Sequence, residues 1–514
     1  MNGAESLVTT LLESGIDTCF ANPGTSEMHF VAALDQIPGM RCVLGLQENV
    51  VTGMADGYFR MARKPASTLL HCGPGLANGW ANLHNARRAN SAVVNIVGDQ
   101  ATYHRPYDAP LTADTAALAG AVSAWVRTSQ SAADVGRDAA AAVAAARTAP
   151  GQIASLILPS DTSWDAGGVA ARALPVPSAP SIDTFAVDNA ARILRQNRKD
   201  VLILLGGECA LPGAQAIAWR IANATGATLK YEYVMGRVSR GRGRLPIERV
   251  PYNTDQAIAM MASFRHIILV NARPPVGFFA YPGKPSLQYP REAQIHHLSR
   301  VDQHPEAALL ALAEALNAPA VDIPASESCP QIVTGTPTPE GLAQTIAAVM
   351  PENAIVSDES ISYGRSFYRF THAAAPHDWL SLTGGAIGDG LPVATGAAVA
   401  CGGSRRVISL QADGSAMYSL QSLWTQARER LPCTTILLAN RKYNILIGEY
   451  ENVGALPGPT AMSMLDLSNP DLDWVRLANG MGVEAAHATT LEQCADLMKQ
   501  SFRQDGPFLI ELLI

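Results

Sequence analysis

The sequence predicts an α/β protein of three doubly wound parallel-sheet domains, and three observations carry that expectation. Short apolar runs of strand length alternate with stretches of helical spacing along nearly the whole chain. Strands alternating with helices imply a parallel sheet covered on both faces. Two Pro- and Gly-bearing stretches interrupt the alternation, and 514 residues are too many for one core at about 150 residues per domain.

The first expected domain spans residues 1–165. Helical spacing is read at Leu7–Leu12, Met28–Leu34 and Val50–Met61, and strands at Asp17–Phe20, Cys42–Leu46, Ser67–Leu70, Val93–Val97 and Ile153–Leu158. The stretch AGGVAARALPVPSAP (166–180) then reads as a linker. The second domain, 183–322, has strands at Val201–Leu205, His266–Val270 and Gln294–Leu298 and a helix at Ala214–Ala224. Its segment LILLGGE (202–208) lacks the spaced glycines of a dinucleotide fingerprint, so no chemistry attaches to it. A second linker, IPASESCPQIVTGTPTPE (323–340), leads into the third domain, 335–514. This opens with a helix at Ala343–Met350 and a strand at Ala354–Ser357 and closes with the strand PFLIELLI (507–514).

The chain is 48% apolar and 16% charged, with a formal charge of −7. That globular profile without basic excess argues against a nucleic-acid partner. No run of about 18 apolar residues offers a membrane span, and MNGAESLVTTLLESG lacks the basic start and apolar core of a secretory signal. A cytoplasmic protein with no membrane partner is expected. Eight cysteines without a Cys-x-x-Cys pair read as reduced thiols rather than a disulfide scaffold or zinc site.

Val407–Leu446 holds the chemistry of the third domain. The apolar run Val407–Gln411, the turn Ala412–Ser415, helical spacing over Ser419–Arg430 and the apolar run Thr434–Ala439 make one strand–helix–strand unit. Ligands in open α/β sheets bind at the carboxyl ends of strands, and here those ends carry Asp413 and Asn440. A carboxylate, an amide carbonyl and a nearby backbone carbonyl are hard oxygen donors suited to Mg²⁺, whose remaining positions go to phosphate oxygens. A diphosphate ligand follows. Taken alone, Asp413 also reads as a helix cap and Asn440 as a turn residue.

At these residues the chain resembles the thiamine diphosphate (ThDP) enzymes, whose cofactor motif opens with Gly-Asp-Gly and closes with Asn-Asn. Here the motif reads Ala412-Asp413-Gly414 and Ala439-Asn440, with Ala in place of the first Gly and the first Asn. The resemblance covers essentially the whole chain. It implies pyrimidine-binding, central and diphosphate-binding domains in this order, with ThDP and Mg²⁺ as cofactors. Asp413, Asn440 and the Lys442 carbonyl would be the metal ligands.

The resemblance assigns further residues. Glu48 follows a strand and begins a helix, where an acidic residue is also favoured for electrostatic reasons alone; in the family this glutamate contacts N1′ of the aminopyrimidine. In the segment Thr383-Gly384-Gly385-Ala386-Ile387-Gly388, Ile387 would wedge between the cofactor rings and the Gly385 carbonyl would accept from the N4′ amino group. Diphosphate contacts are expected from Gly414 and Ser415 at a helix N-terminus, and from Ser360 and Ser362 after Ala354–Ser357. His71, at the end of Ser67–Leu70, matches a strand-end histidine of benzoylformate decarboxylase-like enzymes. The turn Asn22-Pro23-Gly24-Thr25 matches that group too, with Thr25 at its serine position. The segment NARPPVGFFAYPGKP (271–285) lacks that group's second catalytic histidine, and His104, in the polar loop DQATYHRPYD, is the alternative proton carrier.

The implied activity is on a 2-oxo acid, by decarboxylation or by carboligation as in acetolactate synthase, and the sequence leaves that fork open. The segment GPGLANG (73–79) and the metal unit look like acetolactate synthase large subunits. That group commonly holds FAD in its central domain, but the sequence offers no reason to expect FAD here. A benzoylformate decarboxylase-like enzyme is the alternative. A catalytically silent paralogue is a third reading, suggested by the two Ala replacements and opposed by retained Glu48, Ile387, Asp413 and Asn440. The family's site lies between the first domain of one chain and the third of another, which implies a homodimer or homotetramer.

Overall fold

Three sheets organise the chain, and each forms where apolar runs alternate with helices. The computed structural model describes residues 1–324 and 328–514; residues 325–327 of the second expected linker lie outside the described residues. The first sheet contains β1 (Thr18–Asn22), β2 (Arg41–Leu44), β3 (Ala66–Leu70), β4 (Val93–Asp99), β5 (Trp125–Thr128) and β6 (Ile153–Pro159), in the order β2-β1-β3-β4-β6-β5. All its pairings are parallel. Every residue of β3, β4 and β6 is buried, as expected where helices cover both faces of a parallel sheet.

The second sheet takes β7 (Val201–Leu205) and β8 (Thr228–Tyr231), skips β9 (Val238–Arg240), and continues with β10 (His266–Val270) and β11 (Gln294–Ser299). The third contains β12 (Ala354–Glu359), β13 (His377–Ser381), β14 (Val407–Ala412), β15 (Cys433–Ala439), β16 (Glu484–Ala488) and β17 (Phe508–Leu513), in the order β16-β17-β15-β14-β12-β13-β9. The expected parallel α/β class holds, with one exception at an edge. The strand β9 leaves the 183–322 stretch and pairs antiparallel with β13, tied there by Arg237 and Ser239 on Asp378 at 2.9 and 2.8 Å.

The expected helix over Ser419–Arg430 is shorter, Gln421–Arg428, and a single turn, Asp413–Ala416, precedes it. Serine competes with helical hydrogen bonding, and the Ser415 hydroxyl donates to the Ala412 carbonyl at 3.2 Å. None of the described helices is long and apolar enough to cross a membrane.

The first and third sheets meet through two helices, Glu48–Ala62 and Gly390–Ala400. Their backbones approach closely because glycines face the crossing: a Cβ at Gly396 would lie 1.9 Å from the Met54 carbonyl oxygen, and one at Gly57 would lie 2.1 Å from that of Val393.

Candidate functional site

The carboxyl tips of β14 and β15 lie side by side, with Ala412 in register with Leu438. This brings Asp413 against the next residues of the neighbouring tip. Its buried carboxylate accepts the Gly414 N–H at 2.8 Å and the Arg441 N–H at 2.6 Å. Burial raises the carboxyl above its ordinary range, and the backbone donors of Arg441, Gly414 and Asn440 oppose the rise. Each carboxylate oxygen keeps a second lone pair for a further partner. The Asn440 amide oxygen accepts from the Lys442 N–H at 3.1 Å, and the Lys442 carbonyl accepts from the Asn444 N–H at 2.9 Å. A cavity of about 430 Å³ opens beside this tip, lined among others by Asn440, Arg441, Lys442, Asp466 and Ser468.

Gly414 lies beneath the Tyr443 ring, which a Cβ there would approach to 2.5 Å. Gly414 and Ser415, expected at a helix N-terminus, lie in the single-turn helix Asp413–Ala416 that follows the tip of β14. After β12, Ser360 turns both its N–H and its hydroxyl onto Asp358, at 3.1 and 2.5 Å. Ser362 has no side-chain hydrogen bond among the described residues. Between them Ile361 sits at φ 49°, a conformation that costs a β-branched residue on the order of 1–3 kcal/mol. Sequence patterns carry no signal for such strain.

The loop from Thr383 to Asp389 is held from both sides. From the first unit, His84, Asn85 and Asn82 meet the carbonyls of Gly384, Ala386 and Gly388 at 3.2, 2.8 and 3.1 Å. The intervening Gly385 carbonyl accepts no hydrogen bond among the described residues. From the third unit, Glu359 receives the N–H groups of Gly388 and Gly390 at 2.7 and 2.9 Å, and the Gln411 amide at 2.5 Å. Gly385 at φ 80° and Gly388 at φ 97° adopt backbone that other residues rarely take. Ile387 is half-buried between them. Arg60, paired with buried Asp56, donates to the Ser381 carbonyl at 2.8 Å and to the Thr383 hydroxyl at 3.1 Å.

Glu48 is the first residue of its helix, capped by Gln47, and is 6% exposed. Asn78 donates to it at 3.0 Å. Its other oxygen lies 3.0 Å from where a Gly75 Cβ would stand, and the His71 Cβ lies 3.4 Å from the same point. Glu48 and His71 therefore share one face of Gly75. His71 Nδ1 lies 2.9 Å from the buried Glu27 carboxylate and 3.2 Å from the Ser26 hydroxyl. Glu27 also accepts the Gly24 N–H at 2.7 Å. The His71 ring covers Gly24 so closely that a Cβ there would lie 2.3 Å from it, which accounts for glycine in the Asn22–Pro23–Gly24 turn.

Sequence reasoning missed Ser26, Glu27 and Cys72 around His71. Thr25 is exposed, and the side chain that reaches the imidazole is its neighbour Ser26. Cys72 lies 3.2 Å from Ser26, and burial pushes its thiol up to about 11. The signal lay in the turn itself, where Glu27 is one helical step beyond Gly24. His104 is exposed, with the Tyr107 ring 6.2 Å away. The structure thus forms two groups, Asp413 with Asn440 and Glu48 with His71, and the loop at Gly385 stands between the two sheets.

A parallel α/β scaffold with an acid–amide pair at adjoining strand tips and a buried glutamate at a helix start fits a ThDP-binding enzyme. The chain matches the family described as thiamine pyrophosphate enzyme, N-terminal TPP binding domain, over residues 1–119, and its C-terminal TPP binding domain over 362–512. A Mycobacterium tuberculosis protein named as an acetolactate synthase large subunit is 48% identical over 100% of this chain and 99% of its own length. Benzoylformate decarboxylase of Pseudomonas aeruginosa is 29% identical, covering 98% of this chain and 97% of that one. The ThDP-dependent 4-hydroxybenzoylformate decarboxylase of Rhodococcus jostii RHA1 superposes with a TM-score of 0.83 at 26% identity, over 99% of this chain and 98% of that one. The chain belongs to the thiamine pyrophosphate enzyme family, in the group of acetolactate synthases and benzoylformate decarboxylases.

Proposed function

We propose that this enzyme decarboxylates a 2-oxo acid, with residues 1–165 receiving the pyrimidine of ThDP, 335–514 its diphosphate, and 183–322 joining the two. The observation that carries the reading is the Gly385 carbonyl. Its neighbours at Gly384, Ala386 and Gly388 are each tied to a first-unit side chain, while among the described residues it accepts no hydrogen bond and so is open to an amino donor. The donor set at the strand tips fits a diphosphate-bound Mg²⁺: Asp413, the Asn440 amide oxygen and the Lys442 carbonyl are all hard oxygens with lone pairs to spare. When bound, ThDP supplies the electron sink that lets carbon dioxide leave.

The chain's own groups manage protons and position. Glu48, in an almost water-free setting, takes and returns a proton at the aminopyrimidine. Ile387 fixes the angle between the rings. With the Nδ1–H of His71 held on the Glu27 carboxylate, Nε2 takes a proton from water and delivers it to the product side. Proton delivery favours decarboxylation, and the buried carboxylate behind His71 favours it over exposed His104. Carboligation is the second reading, favoured by the 48% identity to the protein named as an acetolactate synthase large subunit. The working enzyme is a homo-oligomer in which a second copy completes each site.

Glu48→Gln tests the core of this reading. The variant is expected to bind ThDP and Mg²⁺ by calorimetry with little change, yet to lose roughly 100-fold or more in turnover and in hydrogen–deuterium exchange at the thiazolium C2. Pyruvate, phenylpyruvate and benzoylformate, followed for both CO₂ and ligation products, separate the two reactions. Unaltered turnover in the variant refutes the role of Glu48.

A further inference from the structure

We propose that Phe278 and Phe279 form the wall that receives the substituent of the 2-oxo acid, so that the substrate carries an aromatic or bulky apolar group. This rests on the reading of the Gly385 loop as the cofactor's seat. The segment after β10 crosses from the second sheet to the third and lays the tip of the Phe278 ring against Gly385. A Cβ at Gly385 would lie 2.3 Å from Cζ of Phe278. The ring is braced from behind: its centroid lies 5.5 Å from that of Tyr252, which packs 5.6 Å from Tyr233 and carries the Arg365 guanidinium over its face at 4.9 Å. Phe279 stands edge-on to Phe278 at 5.0 Å.

Braced as they are, the rings stay open on the side away from Tyr252. Phe278 is 40% exposed, Phe279 59% and nearby Val276 58%. Apolar surface left uncovered beside a reaction centre gains by being covered with an apolar group. From Pro274 to Ala280 no side chain is polar, so a charged substituent finds no partner there. Two cations nearby are already engaged, Arg365 on Tyr252 and Lys284 on Asp255 at 2.8 Å. A small substituent such as a methyl group leaves both rings wet.

The test uses the full-length protein loaded with ThDP and Mg²⁺. The wild type is expected to favour benzoylformate or phenylpyruvate over pyruvate by at least about tenfold in kcat/KM, in the range apolar pockets reach. Phe278→Ala and Phe279→Ala are each expected to reduce that ratio about tenfold. Calorimetry supplies the second readout: benzoylphosphonate is expected to bind the wild type more tightly than acetylphosphonate, and the preference to shrink in the same variants. Preference for pyruvate in the wild type overturns the inference, as do ratios unmoved in both variants. A variant that changes sedimentation but neither ratio assigns the rings to a subunit contact and also overturns it. If ThDP binds and some 2-oxo acid turns over without aromatic preference, this inference alone fails. If ThDP does not bind, the proposed function fails and takes the inference with it.

Discussion

Glu359 shows how one buried side chain sets the backbone that the cofactor would meet. Every partner of its carboxylate is a donor, so the hydrogen bonds favour the ionised form. Burial acts in the opposite sense and more strongly, and the carboxyl is pushed up to about 7. The charged groups nearby are Asp389, itself raised well above the carboxylate range by burial, and the Arg60–Asp56 pair behind it. The folded value lies above the unfolded one, so stability from this group is full below about pH 4.5 and is lost as pH rises through about 7. A rise from 4.5 to about 7 amounts to roughly 3 kcal/mol at about 1.4 kcal/mol per pH unit. Urea unfolding at pH 5 and pH 8 is expected to lose that much more stability in the wild type than in Glu359→Gln. Equal losses would mean that Glu359 does not titrate in this window. The same substitution puts an amide donor against N–H groups that need an acceptor, so ThDP affinity is expected to fall about tenfold.

At the scale of elements, the pair Glu48–Ala62 and Gly390–Ala400 decides how the first and third sheets meet. Alanine forms helix better than glycine by roughly 1 kcal/mol, yet at Gly57 or Gly396 its methyl group would strike the carbonyl backbone of the facing helix. Gly57→Ala and Gly396→Ala are therefore expected to destabilise by about 1–3 kcal/mol. Gly448, in the helix Asn444–Val453, has open space where a Cβ would stand, and Gly448→Ala is expected to be neutral or stabilising by up to about 1 kcal/mol. Thermal unfolding of the three variants checks the contrast, and a stabilised Gly396→Ala would show that the helices do not cross this closely. The same scale explains what the sequence discloses. The strands β3, β4, β6, β7, β14 and β15 announce themselves because two covered faces demand mostly apolar residues. The short strands β5, β8, β9, β13 and β16 carry mixed residues and are stabilised by neighbours distant in sequence. The helix Cys72–Arg88 hides behind Cys72-Gly73-Pro74-Gly75, whose proline suits a first helical turn although glycine and proline together suggest a loop.

Over the whole molecule, the positions of Asp413, Asn440 and Glu48 just beyond strand ends were legible because the apolar runs that precede them read directly as parallel strands. Glu27 and Ser26 beneath His71, the strain at Ile361 and the aromatic wall at Phe278 were not, since each arises from chain segments that meet only on folding. Among the described residues, no hydrogen bond or ion pair joins the Glu48–His71 group to the Asp413–Asn440 tip within one chain. Around both groups lie exposed apolar side chains, Leu46 beside Glu48 and Met417, Tyr418, Leu446 and Met464 beside the strand tips. On the proposed homo-oligomeric reading, these large apolar side chains are the surface that a second copy would cover. Sedimentation is expected to give at least twice the 54.3 kDa of the chain, with specific activity falling on dilution as subunits part. Leu446→Glu places a charge in that surface and is expected to shift the protein toward monomer, with turnover lost in proportion to the dimer while the far-ultraviolet circular dichroism is kept. A monomer that turns over a 2-oxo acid at the wild-type rate would show that one chain builds the whole site by itself.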